Sequence, residues 1–138
     1  MKRKIGLLTT LVLVLICVFA LADVEINEEN FPDAAFRNVA TKYDTDKDGM
    51  LSDAEIGEVI EIDCSEMGIT TLQGIEYFSA LENLRCYFNQ LTSLDFSGNT
   101  ALVLIECYSN QLTSLDISKN MALVAVNVTV DLMKVMEV

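Results

Sequence analysis

Apolar residues recur with a 21-residue period through the second half of the chain. Two adjacent copies share the pattern position by position: Leu81, Leu84, Cys86, Asn89, Leu91, Leu94 and Phe96, then Leu102, Ile105, Cys107, Asn110, Leu112, Leu115 and Ile117. Residues 89–95 and 110–116 are identical. Another copy lies 22 residues before the first of this pair, and a degraded copy follows the second. The pattern predicts about four repeats over residues 59–138, of which the last is degraded or truncated.

Each copy contains a short segment in which inward and outward positions alternate, as in a β-strand. In the best-defined copy the outward positions are Asn83, Arg85 and Tyr87, and the positions predicted to point inward are Leu84, Cys86, Leu91 and Leu94. A single coil of this length cannot bury its own apolar side, so we expect the copies to stack and share one core. The asparagine three residues after the cysteine would bind backbone groups of the adjacent coil.

The spacing L-x-x-L-x-C-x-x-N-x-L resembles the leucine-rich repeat. This resemblance implies an α/β fold, a short leucine-rich-repeat solenoid with parallel β-strands on its concave face. The repeats of such a solenoid would be 21–22 residues long here.

An acidic segment of 12 residues, 44–55, precedes the repeats and matches the EF-hand calcium loop D-x-D-x-D-G-x₅-E. Gly49 falls at the sixth position, where the turn needs a positive φ. The predicted Ca²⁺ ligands are Asp44, Asp46, Asp48, the Met50 carbonyl, Ser52 (directly or through water) and bidentate Glu55. A solvated acidic turn is the alternative, but clustered carboxylates repel one another unless a cation neutralises them.

The flanks of this loop predict a helix on each side. Residues 32–43 place Phe36, Ala40 and Tyr43 on one helical face, with Asn30 as the expected N-cap and Pro32 in the first turn. The sequence Ser52-x-x-Glu55 predicts a capping box for a short exit helix. We therefore expect a small helix–calcium loop–helix cap that covers the first coil, with calcium as a folding ligand.

The first 22 residues have the pattern of a secretory signal peptide. A basic start is followed by the apolar run 11–19 and by small residues at Ala20 and Ala22, ahead of Asp23. The alternative is an uncleaved anchor, because residues 5–22 are almost long enough to span a bilayer. We expect a secreted or cell-surface protein with no stable membrane span after cleavage.

Three cysteines, Cys64, Cys86 and Cys107, occupy the same inward position of successive copies. A thiol is a small apolar filler in a narrow interior. Zinc needs about four converging nitrogen or sulfur ligands, which a row of three cysteines does not supply. Adjacent strands are close enough for a disulfide, but the parallel direction of the side chains opposes one.

The chain has 138 residues, with 21 Asp+Glu against 9 Lys+Arg and a formal net charge of −12. This balance argues against nucleic-acid binding, which depends on clustered Lys and Arg. The chain has no His, and we find no G-x-S-x-G motif, phosphate loop or other nucleophile–base pair. We therefore expect a protein that is not an enzyme.

The outward positions of the predicted strands form the candidate partner-binding surface on the concave face. Its residues are Asn83, Arg85, Tyr87, Glu106 and Tyr108. Tyr87 and Tyr108 would stack beside Phe88, and Tyr and Arg are favoured at interface hot spots. The alternative is that the tyrosines stack only to stabilise the sheet.

The whole arrangement resembles secreted bacterial leucine-rich-repeat surface proteins of the internalin type, with cysteine-ladder repeats and a calcium-loop cap. The resemblance rests on Phe31-Pro32-Asp33-Ala34-Ala35-Phe36-Arg37, on the acidic loop, on Gly74-Ile75-Glu76-Tyr77-Phe78 and on the Asn-Gln-Leu-Thr-Ser-Leu-Asp repeats. It implies an adhesion or host-interaction role in which the concave face binds a protein or a surface glycan.

Three segments follow from these patterns. They are a signal peptide at 1–22, a helical cap at 23–58 with its loop at 44–55, and leucine-rich repeats at 59–138. The alternative to an independent binding module is a truncated N-terminal cap fragment of a longer repeat adhesin.

Overall fold

The computed structural model describes residues 23–129. The predicted signal peptide lies outside the described residues, as does the end of the fourth repeat. The elements in chain order are β1 (Val24–Glu25), α1 (Ala34–Ala40), β2 (Met50–Leu51), α2 (Asp53–Glu58), β3 (Glu61–Asp63), a 3₁₀ turn (Ile75–Tyr77), β4 (Asn83–Arg85), β5 (Leu104–Glu106) and β6 (Ala125–Asn127).

Strands β3 to β6 form one parallel sheet in the order β3-β4-β5-β6. Ile62 pairs with Leu84, and Leu84 in turn pairs with Ile105. Ile105 pairs with Val126. These partners are separated by the 22-residue and 21-residue steps of the repeat, which confirms the predicted in-register stack of coils.

The core runs along the inside of this stack. Ile62, Leu84 and Ile105 are fully buried at equivalent positions of β3, β4 and β5. Burial weakens at the last described coil, where Val126 is only half-buried and Val124 is 84% exposed. Leu94, predicted to point inward, is half-buried.

An aromatic cluster joins the segment around α1 to the repeats. Phe31, Phe36 and Phe78 are fully buried, and the ring of Phe31 lies 6.1 Å from Phe36 and 6.5 Å from Phe78. Tyr43 packs edge-on against Phe78 at 5.7 Å. These side chains tie the segment before the acidic loop to the repeats. Within residues 23–129, no helix is both long and apolar enough to cross a membrane.

The start of α1 corrects one prediction. The N-cap is Asp33 and not Asn30: its Oδ1 accepts hydrogen bonds from the backbone N–H groups of Ala35 (2.9 Å) and Phe36 (3.0 Å). Pro32 therefore precedes the helix instead of lying in its first turn. Asn30 has another role, because its amide nitrogen donates to the carbonyl of Glu25 at 2.8 Å.

Candidate functional site

The acidic loop brings three of the predicted ligands together. Carboxylate oxygens of Asp44, Asp46 and Asp48 all lie within 4.8 Å of one another. Asp44 is buried, and its two oxygens accept hydrogen bonds from the N–H groups of Asp48 (3.2 Å) and Gly49 (3.0 Å). The three aspartates offer carboxylate oxygens as metal ligands, and these hard ligands are the kind that Ca²⁺ and Mg²⁺ prefer.

The turn of the loop is built as its sequence requires. Gly49 has a φ of +88°, a region that glycine adopts without steric cost. Leu51, at the eighth loop position, is fully buried and belongs to β2. Strand β2 pairs antiparallel with β1, and the N–H of Ile26 donates to the Gly49 carbonyl at 3.0 Å. Strand β1 thus pairs with β2, the short strand in the middle of the acidic loop.

Glu55 lies outside the aspartate cluster. Its Oε1 accepts hydrogen bonds from the backbone N–H (2.6 Å) and hydroxyl (2.8 Å) of Thr45. Its Oε2 accepts from the backbone N–H (3.0 Å) and hydroxyl (2.9 Å) of Ser52. The hydrogen bonds from Ser52 and Thr45 together lower the pKa of Glu55 to about 2. The predicted capping box of α2 is confirmed. Both oxygens of Glu55, the predicted bidentate ligand, accept hydrogen bonds from Thr45 and Ser52.

Charge repulsion is visible within the cluster. The backbone hydrogen bond from Asp48 lowers the pKa of Asp46, but desolvation and the charges of Asp48, Glu55 and Asp44 outweigh it, so the net pKa is raised. A divalent cation would reverse this effect, since an opposite charge favours the ionised carboxylate.

The second candidate surface is the outward face of the sheet β3–β6. Arg85 in β4 bridges the strands on either side: its Nε lies 3.0 Å from Oε2 of Glu106 in β5, and its Nη1 contacts Oε1 of Glu61 in β3. The hydrogen bonds and charges of Glu61 and Glu106 raise the pKa of Arg85. The guanidinium therefore links three adjacent strands through ion pairs.

The predicted tyrosine stack is confirmed just beyond the ends of β4 and β5. The rings of Tyr87 and Tyr108 are parallel within 6°, with centroids 4.8 Å apart. Phe88 meets both rings edge-on, at 5.9 Å and 5.7 Å. Of the five predicted face residues, four therefore make direct contacts in two groups, Arg85 with Glu106 and Tyr87 with Tyr108. Asn83 lies half-buried at the start of β4.

The inside of each coil is occupied by groups that hold the stack. Cys64, Cys86 and Cys107 are buried and free. Desolvation by burial raises the pKa of Cys64 to about 12 and that of Cys107 to about 11. It also raises the pKa of Cys86. None of these three thiols is suited to act as a nucleophile near neutral pH, because the thiolate is the reactive form.

Two asparagine ladders join adjacent coils. The predicted ladder consists of Asn89 and Asn110, whose amide nitrogens each donate to one backbone carbonyl of their own coil and one of the preceding coil. The acceptors of Asn89 are Cys86 and Cys64, and those of Asn110 are Cys107 and Cys86. The second ladder is Asn99 and Asn120, whose amide nitrogens donate to two carbonyls of the preceding coil. The acceptors are Ile75 and Phe78 for Asn99, and Phe96 and Asn99 for Asn120. Sequence reasoning missed it, although Asn99 and Asn120 are also 21 residues apart.

Comparison with known proteins identifies the fold. No protein-family model matches the chain. Internalin J of Listeria monocytogenes (serotype 4b, strain F2365) is 32% identical over 71 residues, 51% of this chain and 8% of the relative. The solved functional domain of InlJ from the same species, which includes a cysteine ladder, has a TM-score of 0.68 at 28% identity and covers 80% of this chain and 26% of that chain.

Two further internalins of Listeria monocytogenes share the fold. Internalin C2 has a TM-score of 0.65 at 23% identity over 77% of this chain and 48% of its own. InlF has a TM-score of 0.64 at 24% identity over 78% of this chain and 33% of its own. The chain therefore has an internalin-like leucine-rich-repeat fold, and it spans less than half the length of each of these proteins.

Proposed function

We propose that this chain is a secreted or cell-surface bacterial binding module that recognises a protein through the outward, concave face of its sheet. The observation that carries the proposal is the alignment of side chains from successive coils on one face, with Tyr87 stacked on Tyr108. A rigid parallel sheet with solvent-facing side chains supplies a large surface whose chemistry can vary without disturbing the core. The likeness to internalins supports this function class.

The chemistry of the described residues supports binding over catalysis. The sequence has no His, and burial raises the pKa of the Cys64 thiol to about 12. Acid–base catalysis by carboxylates needs a member with a pKa near the working pH, whereas hydrogen bonds lower the pKa of Glu55 to about 2. A non-enzymatic role agrees with the internalin-like fold.

A random-peptide phage library selected on the full chain tests the binding face. We expect the selected peptides to lose at least about tenfold in affinity, which is ~1.4 kcal/mol, when Tyr108 is replaced in Tyr108→Ala. Thr113→Ala is the matched control, an exposed residue of the same coil outside the sheet. Equal affinities for the two variants would contradict the proposal.

We further propose that one Ca²⁺ stabilises the loop at 44–55. The supporting observation is the set of three aspartates, Asp44, Asp46 and Asp48, at mutual distances within 4.8 Å. Met50, Ser52 and Glu55 complete the proposed ligand set. The ion would neutralise the carboxylates between α1 and α2, and would thereby stabilise the proposed helical cap of the solenoid.

Thermal unfolding with and without calcium tests this site. Extracellular calcium modules bind at ~10⁻⁴–10⁻³ M, so 10 mM CaCl₂ should add about 1.4–2.7 kcal/mol and raise Tm by several degrees over EDTA. Asp46→Asn should remove most of the gain while keeping an acceptor for the Asp48 N–H. Glu58→Gln, an equal change of charge at the end of α2, should keep the gain. The same Tm in calcium and in EDTA would contradict the site.

A further inference from the structure

Three aromatic side chains form an exposed cluster past the ends of β4 and β5. This aromatic patch consists of Tyr87, Phe88 and Tyr108. Phe88 is 55% exposed although it contacts both tyrosines edge-on. Tyr87 and Tyr108 are half-buried, so Phe88 is the most exposed side chain of the patch.

The backbone of Phe88 is in an unfavourable conformation for its side chain. Its φ is +51°, a left-handed region that is a steric outlier for bulky residues. The equivalent positions of the neighbouring coils are also left-handed, with Glu66 at +60° and Ser109 at +54°. The backbone conformation favours Gly, Asn or a small polar residue here, and the next coil has Ser109 at the equivalent position.

Backbone hydrogen bonds hold this conformation in place. The N–H of Phe88 donates to the Tyr108 carbonyl at 3.1 Å, and the N–H of Glu66 donates to the Tyr87 carbonyl at 3.1 Å. The Asn89 amide, directly after Phe88, bonds the carbonyls of Cys64 and Cys86. Phe88 is therefore presented rigidly, and an aromatic side chain fixed in this way loses little entropy on binding.

The surroundings of the patch are acidic. The strands carry three acidic residues, Glu61, Asp63 and Glu106, and the turn after β3 carries Glu66. Within the four strands β3, β4, β5 and β6, Arg85 is the one cationic residue. Arg85 is already paired with both Glu61 and Glu106. Glu106 is two residues before Tyr108 in the same coil. The backbone N–H of Glu66 bonds the Tyr87 carbonyl, so both carboxylate residues lie next to the patch.

We propose that the aromatic patch is the anchor for a basic segment of a partner protein, with Phe88 as its central contact. Lys or Arg side chains of the partner would lie against the aromatic rings, where the ring quadrupole attracts a cation. Glu66 and Glu106 would supply the complementary charge. The inference rests on the proposed binding function of the outward face and specifies the chemistry of the partner.

Binding of a hexa-arginine peptide to the full chain, measured by calorimetry at low salt, tests the anchor. Phe88→Ser copies the residue at the equivalent position of the next coil and should weaken binding at least tenfold, with Tm unchanged or raised. Ile60→Ser is the matched control, because Ile60 is 54% exposed and lies before β3, at the other end of the strands. The affinity of the Ile60→Ser variant for hexa-arginine should stay within twofold of that of the unsubstituted protein.

A second pair of variants separates local charge from the charge of the whole molecule. Glu66→Gln should weaken hexa-arginine binding about threefold or more, whereas Glu58→Gln, which removes the same charge from the end of α2, should change it less than twofold. Equal losses in the two variants, or unchanged binding by Phe88→Ser, would overturn the inference. Tighter Phe88-dependent binding of the neutral sugar cellohexaose than of the peptide would also overturn it, in favour of a glycan.

The peptides selected from the phage library distinguish this inference from the broader proposal. If they depend on Tyr108 and are rich in Lys and Arg, both stand. If they depend on Tyr108 but lack basic residues and do not compete with hexa-arginine, the face binds proteins and the basic-partner inference fails. If they bind independently of Tyr108, the proposed function itself fails.

Discussion

Single asparagine side chains hold the coils of this molecule together. The side-chain oxygen of Asn89 accepts from the N–H groups of Met67 (3.1 Å) and Ile69 (3.0 Å), while its nitrogen donates to Cys64 and Cys86. One side chain thus satisfies four backbone groups in two coils. Buried polar groups left without partners cost about 1–3 kcal/mol each.

Asn89→Ala should therefore be among the more destabilising substitutions in the repeats. We expect a loss of about 3 kcal/mol in the free energy of unfolding, measured in urea. Asn110→Ala should cost less, because Asn110 is half-buried and, within residues 23–129, its oxygen accepts a hydrogen bond only from Leu91. Equal losses in the free energy of unfolding for the two variants would contradict this account, in which the more deeply buried asparagine contributes more to stability.

Gly74 is a second residue whose role is set by local geometry. Its φ is +103°, and an added Cβ would lie 2.3 Å from Cδ1 of Phe31 and 2.7 Å from the Asn30 carbonyl. Gly74→Ala should cost about 3 kcal/mol, from overpacking and from the left-handed backbone. Gly57→Ala in α2 meets nothing within 4 Å and should be neutral or stabilising by up to ~1 kcal/mol. Urea unfolding of both variants tests this contrast.

At the scale of elements, α1 is joined to the repeats through its own N-cap. Besides capping the helix, Asp33 accepts on Oδ2 from the backbone N–H (2.9 Å) and hydroxyl (3.0 Å) of Thr70. Burial raises the pKa of Asp33, but the hydrogen bonds from Thr70, Phe36 and Ala35 outweigh it and leave the pKa below its usual 3.8. The carboxylate stabilises the fold only while it is ionised.

This junction should make stability depend on pH. Because the folded pKa is the lower one, the contribution of Asp33 is fully present above about pH 3.8 and is lost as pH falls through the folded pKa. Asp33→Asn keeps a cap oxygen but loses the bonds from Thr70, so it should cost about 1–2 kcal/mol at pH 7. The difference in Tm between the two proteins should narrow below pH 3.8. A constant difference from pH 7 to pH 3 would contradict the role of this charge.

The elements also show what local sequence patterns miss. The capping box of α2 could be predicted because Ser52 and Glu55 act within one turn. The predicted N-cap of α1 was wrong, although Asp33 caps the helix through local bonds from Ala35 and Phe36. No pattern in the sequence indicated that the second oxygen of Asp33 bonds Thr70, 37 residues away. The pairing of β1 with β2 was not predicted either, since a two-residue strand at Val24 has no periodic pattern to reveal it. The last two contacts join distant segments, which a local pattern does not register.

At the scale of the whole molecule, the repeat spacing was sufficient to predict the sheet. The register of β3 to β6 follows the 22-residue and 21-residue steps directly. It also placed Tyr87 over Tyr108, which became the stacked pair. The sequence could not reveal that Phe88 is left-handed or that Arg85 pairs with Glu61 and Glu106, because these depend on side-chain and turn geometry and not on the period.

The outward face exists only if the coils share one interior, and reagent labelling of the thiols measures that interior most directly. With the native protein at pH 8, mass spectrometry of digested peptides should find no label on Cys64, Cys86 or Cys107, and full labelling of all three after denaturation. Cys86 is the most diagnostic, because a coil lies on either side of it. Labelling of Cys86 in the native protein as fast as in the unfolded chain would contradict the stacked structure and the binding face built on it.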